Sequence, residues 1–142
     1  MLIKIKKLHK EAKLPTYGHP GDAGMDIYAL AETAVPANGT SKIKTGIAIE
    51  IPEGYVALCW DKSGLSLNEG IKVIGGVFDS GYRGEYIVGV YNMKDEPFVF
   101  GKGQKIMQVL VQPVVAGEIL EVDELSESSG RGESGRGSTG LH

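Results

Sequence analysis

The chain has 142 residues, a formal net charge of −3 and a single cysteine, Cys59. This length is enough for one domain with a substantial apolar core. The acidic balance and the lack of a basic stripe argue against a general nucleic-acid-binding protein, and one cysteine forms neither an intrachain disulfide nor a zinc cluster. The sequence has no apolar run of the length that a signal peptide or a membrane span needs, so we expect a soluble cytoplasmic protein without a membrane partner.

Apolar and polar residues alternate along most of the chain, which is the pattern of half-buried β-strands. In one segment the alternation places four isoleucines on one face: Ile43, Ile47, Ile49 and Ile51. Turn-forming stretches rich in Gly, Pro, Asn and Asp separate the runs. The sequence therefore predicts an all-β sandwich or barrel, with strands in LIKIKKL, SKIKTGIAIEIP, YVALCW, EYIVGVYN, PFVF, QKIMQVLVQPVV and EILEVDEL.

Two segments depart from the strand pattern. SGLSLNEG predicts a helix of one or two turns, with Ser63 as a candidate N-cap and Gly70 as a candidate C-cap glycine. Near the end of the chain, residues 126–140 contain five Gly and five Ser. Because such a segment cannot bury enough apolar surface to fold by itself, we predict a β-barrel domain over residues 1–125 and a flexible Gly/Ser-rich segment over residues 126–142.

Several polar residues occupy positions where strand or turn patterns do not require them. Asp26 lies between two apolar residues at the start of a predicted strand. Lys62 and Ser63 precede the short helix, where a phosphate would find backbone N–H groups and a hydroxyl, although a simple N-cap also explains Ser63. Gln108 is a neutral amide in an apolar strand, and such a residue satisfies a backbone group or donates from the floor of a pocket.

Asp79 lies in GGVFDSGYRGEY, between Phe78 and Tyr82. An Asp-Ser-Gly sequence forms hairpin turns, and this interpretation accounts for the local pattern. The flanking rings suggest a second interpretation, because a carboxylate that is partly desolvated becomes more basic and suits a general base. The histidines offer no comparable site, since they are scattered without the spacing of metal ligands or a catalytic triad.

Five segments of the chain resemble the five motifs of the homotrimeric dUTP diphosphatase (dUTPase) family, in that family's order. They are PGDAGMDIYA, KSGLS, GGVFDSGYRGE, GKGQKIMQVLVQPV and RGESGRGSTG, and they extend from about Pro20 to Gly140. The resemblance implies a jelly-roll-like β-barrel (the dUTPase-type β-clip) that assembles as a homotrimer, with active sites shared between subunits and a flexible C-terminal arm. It also implies Mg²⁺-assisted hydrolysis of dUTP to dUMP and pyrophosphate.

The resemblance also implies roles for individual residues. Asp79 matches the family's general base, which activates the water that attacks the α-phosphorus. Asp26 matches the aspartate that holds waters around Mg²⁺, so we expect the metal on phosphate oxygens and not on a direct protein ligand. The remaining positions bind nucleotide: Lys62, Ser63, Gly64 and Gln108 at the phosphates, Gly76 and Val77 at uracil, and Tyr82 beneath the deoxyribose, where it leaves no room for a 2′-hydroxyl.

In the family the glycine-rich tail closes over a site on another subunit. Arg131 matches the residue that meets the γ-phosphate, and Gly137, Ser138 and Thr139 match donors to the triphosphate. Arg136 stands where the family usually has a phenylalanine that stacks on uracil, and a guanidinium also stacks flat on a base. Lys62 stands where arginine is common, which keeps the charge and loses bidentate phosphate geometry.

Two alternatives to a dUTPase stay open from the sequence. A dCTP deaminase of related fold has a catalytic glutamate two residues before the Tyr of a following YN, but this chain has Gly89 there. A catalytically retired, nucleotide-binding regulatory trimer is the other alternative. Lys62 and Arg136 leave it open, whereas an enzyme is favoured by the retained Asp26, Asp79, Tyr82, Gln108 and Arg131.

Overall fold

The structure is a computed structural model that describes residues 1–128, 130, 132 and 140. Short strands predominate, as the alternating sequence predicts, and the single helical segment found there is a π-type turn at Gly64–Asn68. The strands are β1 (Lys4–Lys7), β2 (Thr16–Tyr17), β3 (Met25–Tyr28), β4 (Thr33–Val35), β5 (Thr40–Lys44), β6 (Ile47–Glu50), β7 (Tyr55–Trp60), β8 (Ile71–Ile74), β9 (Val77–Asp79), β10 (Ile87–Asn92), β11 (Phe98–Phe100) and β12 (Lys105–Pro113).

The strands form four antiparallel sheets. The largest has the order β2-β3-β12-β7-β9, so the long strand β12 lies at its centre and the three-residue strand β9 lies at its edge. The other sheets are β5-β10-β8, β1-β6 and β11-β4. The five-stranded sheet carries most of the polar residues that the sequence singles out, and its register decides which of them meet.

One continuous apolar core joins the sheets. Ile43, Ile47, Ile49 and Ile51 are all at most 1% exposed, which confirms that they share the core side of the chain. The prediction of one strand through SKIKTGIAIEIP was wrong, however, because the chain turns at Thr45. Strands β5 and β6 therefore belong to different sheets, and the buried Thr45 hydroxyl donates to the Tyr86 carbonyl at 2.6 Å.

The segment EILEVDEL forms no strand within one chain, contrary to the sequence prediction. After the Val114 amide donates to the Gly54 carbonyl at 2.9 Å, residues 115–125 run as an irregular, exposed segment, here called the arm. Several of its apolar side chains are almost fully exposed, with Val115 at 94% and Ile119 at 97%, whereas Val122 is half-exposed. Alternation alone does not create a strand, since a strand also needs an edge with which to pair.

The predicted boundary at Leu125 stays a prediction, because most of the Gly/Ser-rich segment lies outside the described residues. So do five positions that were expected to bind nucleotide, namely Arg131, Arg136, Gly137, Ser138 and Thr139. Among the residues that the structure does describe, none of the helical segments has the length and apolar character that crossing a bilayer requires.

Candidate active site

Asp26 is buried on β3, with only 5% of its surface exposed, and two lysines pair with its carboxylate. Lys62 Nζ donates to one oxygen at 2.5 Å and Lys105 Nζ contacts the other at 2.6 Å. Burial by itself raises the pKa of Asp26, but the hydrogen bonds from Lys105 and Lys62 outweigh it and hold the pKa below its usual value. The same contact raises the pKa of Lys105. We call these three residues the ion-pair cluster.

Lys105 is a site residue that sequence reasoning missed. In a regular strand, Lys105 and Gln108 are an odd number of residues apart and point to opposite faces. The register between β12 and β3 shifts between Lys105 and Met107, however, which is a β-bulge. Because of this bulge, Lys105 and Gln108 line the same cavity. The apolar–polar pattern of one strand does not show its register with a neighbouring strand, so the sequence alone does not reveal this shift.

Gln108 lies between Asp26 on β3 and Trp60 on β7 in the sheet register. Its side-chain amide donates to the Asp61 carbonyl at 2.9 Å, so it satisfies a backbone group and also borders the cavity. Gly24 permits this arrangement. A Cβ atom at that position would lie 2.5 Å from Gln108 Oε1 and 3.0 Å from Gln108 Cβ, closer than real side chains approach one another.

The cavity beside the ion-pair cluster has a volume of about 370 Å³. Its lining includes Lys62, Lys105, Asp26 and Gln108, together with five residues of the loop before β3, namely Gly18, His19, Asp22, Ala23 and Gly24. A cavity of about 630 Å³ lies elsewhere, between β5, β8 and β10, but Lys42 is the one charged residue that lines it. The smaller cavity has the positive groups that an anionic ligand needs.

The helical turn begins directly after Lys62. Ser63 and Gly64 are exposed, and Ser63 takes helical backbone angles without making a side-chain cap. The prediction that the Ser63 hydroxyl caps this helix was therefore wrong. Gly70 follows the turn with a φ of +68°, as expected for a glycine that ends a helix. An exposed hydroxyl next to a cation is available to an anionic ligand.

A second group of predicted residues lies in the segment of residues 76–82, which we call the aromatic hairpin. Gly76 has a φ of +110°, and a Cβ there would lie 3.1 Å from the Cβ of Cys59, so glycine is needed for the turn into β9. Burial raises the pKa of the Cys59 thiol to about 12. At the other end of the segment, the Tyr82 amide donates to the Asp79 carbonyl at 3.0 Å.

Asp79 and Val77 are both exposed, and Tyr82 is 40% exposed. The expectation that Phe78 and Tyr82 desolvate Asp79 is therefore wrong for a single chain. The Phe78 ring instead packs inward, 5.5 Å from the Tyr82 ring centre. Any desolvation of Asp79 has to come from a ligand or from a second protein surface.

Asp79 and the pair Asp26 and Gln108 lie at different positions along the strands of the same sheet. Asp26 and Gln108 align with Trp60 of β7, whereas Asp79 aligns with Val56. Four residues along a strand correspond to about 13 Å, and β9 lies on the far side of β7 from β12. Within one chain the structure therefore brings together Asp26, Lys62 and Gln108 but leaves Asp79 and Tyr82 apart from them.

Known proteins are similar to this chain over almost its whole length. The dUTPase family model matches residues 10–140. The chain belongs to the dUTPase family. A deoxyuridine 5′-triphosphate nucleotidohydrolase of Alkaliphilus metalliredigens is 45% identical over 98% of this chain and 97% of the relative.

Solved dUTPase structures agree with the sequence match. The dUTPase of Staphylococcus bacteriophage 80alpha, a variant solved with dUpNHpp, superposes with a TM-score of 0.92 at 28% identity, covering 99% of each chain. A dUTPase variant from phage phi11 of S. aureus, whose structure is described as coordinating a structural Mg(II) ion, has a TM-score of 0.82 at 25% identity and covers 87% of this chain and 98% of its own. These matches confirm the predicted all-β, jelly-roll-type fold.

The deaminase alternative finds no support among these matches. The position where that reaction needs a glutamate is Gly89 on β10, which pairs with Ile74 of β8. A Cβ at Gly89 would lie 2.9 Å from Ile74 Cγ1 and 3.0 Å from the Ile74 carbonyl oxygen. A glutamate would not fit there without a shift of the backbone.

Proposed function

We propose that this chain hydrolyses dUTP to dUMP and pyrophosphate, at active sites that three copies of the chain build together. The observation that carries this proposal is the division of the site within one chain. The ion-pair cluster offers positive groups for a triphosphate, and the aromatic hairpin offers a carboxylate and an aromatic surface for a nucleoside. Because Asp79 lies at a different position along the strands of one sheet from Asp26 and Gln108, a second copy has to bring the missing part to each.

The arm supports an assembly of several copies. Four of its apolar side chains are largely exposed in a single chain, with Leu120 at 78% and Leu125 at 89% in addition to Val115 and Ile119. A run of this kind marks a contact surface in a folded protein. We infer that each arm packs on a neighbouring copy and that three such contacts close a ring, the geometry of a cyclic trimer.

In this proposal Asp79 is the general base. Its exposed carboxylate takes a proton from a water that attacks the α-phosphorus, and pyrophosphate leaves. Hydrolysis of a phosphoanhydride depends chiefly on positioning and on charge neutralisation, so little covalent chemistry is asked of the protein. Uracil binds the backbone at Gly76 and Val77, and the Tyr82 ring packs under the deoxyribose and sterically excludes a 2′-hydroxyl.

The triphosphate binds beside the ion-pair cluster. Lys62 and Lys105 are 29% and 48% exposed at their side chains, so each ammonium reaches the cavity while it pairs with Asp26. We propose that both turn toward phosphate oxygens when nucleotide enters, together with Gln108 and the Ser63–Gly64 turn. These groups replace the water that solvates the phosphates in solution.

The residues of the cavity fit an Mg²⁺ ion that the nucleotide holds. Among the described residues, no group of three or more His, Cys, Asp or Glu side chains forms a metal cage. Asp26 is a single buried carboxylate beside the cavity, with Asp22 also on its lining. One carboxylate suits contact through metal-bound waters, since Mg²⁺ gives up its waters reluctantly. When bound, Mg²⁺ neutralises charge on the triphosphate.

The Gly/Ser-rich segment, residues 126–142, completes the site as a lid in this proposal. Arg131 meets the γ-phosphate, Gly137, Ser138 and Thr139 donate to the triphosphate, and Arg136 stacks on uracil. A glycine-rich chain wraps closely around phosphates, and a lid that closes only on substrate excludes water at the moment of reaction.

Product analysis tests the proposal. The full-length chain and a chain that ends at Leu125 are incubated with Mg²⁺ and with dUTP, UTP, dCTP or dTTP in turn. We expect dUMP and pyrophosphate from dUTP alone, and loss of this activity on truncation. Saturable dUTP binding without pyrophosphate release would instead identify a catalytically inactive, nucleotide-binding regulatory protein. Full activity of the truncated chain would show that residues 126–142 do not act as a lid.

A further inference from the structure

Tyr86 is fully buried directly after the aromatic hairpin and its loop, and no role follows for it from the reaction itself. Its ring lies 3.9 Å from the Phe78 ring with an angle of 10° between the planes, a stacked pair. Its hydroxyl has no hydrogen-bond partner among the residues that the structure describes. Burial also raises the pKa of this hydroxyl, which stays protonated. A buried hydroxyl without a partner is unfavourable, so stability alone would select phenylalanine here.

The backbone of Tyr86 is fixed on both sides by the core. Its amide donates to the Ile47 carbonyl at 2.9 Å, and its carbonyl accepts the hydrogen bond from Thr45. Both partners flank the turn between β5 and β6. The Tyr86 ring is therefore a stationary surface, anchored outside the five-stranded sheet to which Phe78 belongs.

Strand β9, in contrast, is held weakly by its own backbone. It has three residues, lies at the edge of its sheet and pairs with β7 alone. Few backbone hydrogen bonds leave such a strand free to open locally, unless side chains fix it. Phe78 is the side chain of β9 that packs inward, and it immediately precedes Asp79.

Tyr82 completes a cluster of three rings with Phe78 and Tyr86. The Tyr82 ring centre lies 5.5 Å from that of Phe78 and 6.1 Å from that of Tyr86. Its hydroxyl donates to the Glu85 carbonyl at 2.9 Å, which closes the loop between them. The position of Tyr82 thus depends on the same stack as the position of Asp79.

We infer that Tyr86 is a positioning residue for the reaction: its ring holds Phe78 and thereby sets both the Asp79 carboxylate and the Tyr82 ring. The inference rests on the roles proposed above for Asp79 and Tyr82. The ring makes the contact, and the hydroxyl makes none within the described residues. Turnover therefore needs an aromatic ring at this position but does not need the tyrosine hydroxyl.

Three variants of the full-length chain test this inference. Tyr86→Leu removes the stack, Tyr86→Phe keeps the ring without the hydroxyl, and Phe100→Leu is a matched control. Phe100 is likewise fully buried and pairs edge-on with Phe98, but it lies on β11, whose sheet has no proposed site residue. The measurements are Tm, kcat and KM for dUTP, and the ratio of UTP to dUTP hydrolysis.

We expect Tyr86→Leu to lower kcat by about 2- to 10-fold, the range that an aromatic pair supports, and to raise the UTP to dUTP ratio by a similar factor. Tyr86→Phe keeps the wild-type kcat and ratio with an equal or higher Tm. Phe100→Leu lowers Tm and leaves kcat and the ratio unchanged. If Tyr86→Leu lowers Tm as Phe100→Leu does but keeps the wild-type kcat and UTP to dUTP ratio, Tyr86 has only a structural role. If Tyr86→Phe loses as much activity as Tyr86→Leu, the hydroxyl acts and the inference is wrong.

Phe78→Leu covers the case in which Tyr86→Leu does not fold, because Phe78 is only partly buried. It removes the other ring of the stack and should reproduce the changes in kcat and in the ratio. Tyr82→Ala, measured in parallel, separates this inference from the proposed function. If Tyr82→Ala still excludes UTP, the proposed role of Tyr82 is wrong. The UTP to dUTP ratio then says nothing about Tyr86, and the kcat of Tyr86→Leu alone decides whether Tyr86 positions Asp79.

Discussion

The ion-pair cluster is buried and already paired within one chain, whereas the aromatic hairpin exposes its reactive carboxylate to solvent. Asp26 is 5% exposed and contacts two lysines, but Asp79 is exposed on an edge strand of three residues. The cluster is held by the centre of a five-stranded sheet, with β12 flanked by β3 and β7. The hairpin depends on side-chain packing instead.

The difference is that one chain already pairs the charges of the ion-pair cluster, whereas it leaves Asp79, the proposed general base, open to solvent. Both oxygens of Asp26 are already paired in one chain, and the two ammonium groups lie at the cavity, from where they turn to phosphate oxygens in the proposed function. In the proposed function, Asp79 is covered only when nucleotide and a second copy bind beside it. The following predictions separate these two kinds of site.

The largest effect is expected from Asp79→Asn. An amide takes no proton from water, so kcat should fall by about 10²- to 10⁴-fold, the usual contribution of a general base. Binding of a non-hydrolysable dUTP analogue should be unchanged, because the ion-pair cluster is intact. Steady-state pyrophosphate release and calorimetric titration measure the two quantities. Glu32→Gln, at another exposed acid, is the control, and wild-type turnover in Asp79→Asn would remove Asp79 as the base.

A smaller effect is expected from Tyr82→Ala, at the last residue of the aromatic hairpin. Without the ring, the site gains room for a 2′-hydroxyl, and the preference for dUTP over UTP should fall by about 10- to 100-fold, the range typical of steric discrimination. Competition between the two nucleotides for the same enzyme measures this preference. A preference equal to that of the wild type would mean that another group excludes the ribose.

Gly24→Ala tests how Gln108 is packed beside the ion-pair cluster. The added methyl group would lie 2.5 Å from Gln108 Oε1, so Gln108 must move away from the Asp61 carbonyl. We expect a loss of about 1–3 kcal/mol in the free energy of unfolding, as for other overpacked sites, together with a higher KM. Gly101→Ala is the matched control, since the nearest atom to a Cβ there is Gln104 Oε1 at 3.7 Å, an ordinary contact. Equal stability of the two variants in urea would show that Gly24 does not restrict Gln108.

The smallest effect concerns acid pH. Because the pKa of folded Asp26 lies below its usual 3.8, the stabilisation by its ion pairs is present above about pH 5 and is lost as the pH falls through 3.8 toward the folded value. The free energy of unfolding of the wild type should therefore fall more steeply between pH 5 and pH 3 than that of Asp26→Asn. Denaturant titrations across this range, with Glu32→Gln as the control, measure the slopes. Parallel curves for wild type and Asp26→Asn would contradict the prediction.

The sequence predicted the β-rich fold, the core isoleucines and the candidate residues Asp26, Lys62 and Gln108, which the structure brings together. It did not predict Lys105, since a β-bulge reverses strand parity without leaving a mark in the local pattern. It also assigned a strand to EILEVDEL, where alternation is present but a pairing edge in the same chain is missing. Aromatic flanks suggested a desolvated Asp79, yet its desolvation depends on groups far away in sequence or in another chain.

The sequence by itself determined which segments alternate, where the chain turns and in which order the five dUTPase-like motifs follow one another. These features are local, because propensity, periodicity and motif spacing involve neighbours along the chain. Only the tertiary structure decided that Asp26 holds two lysines, that Asp79 is offset from Gln108 by about 13 Å along the strand direction and by two strands across the sheet, and that Tyr86 stacks on Phe78. Each of these depends on strand register and on packing between sheets, which join residues that are distant in sequence.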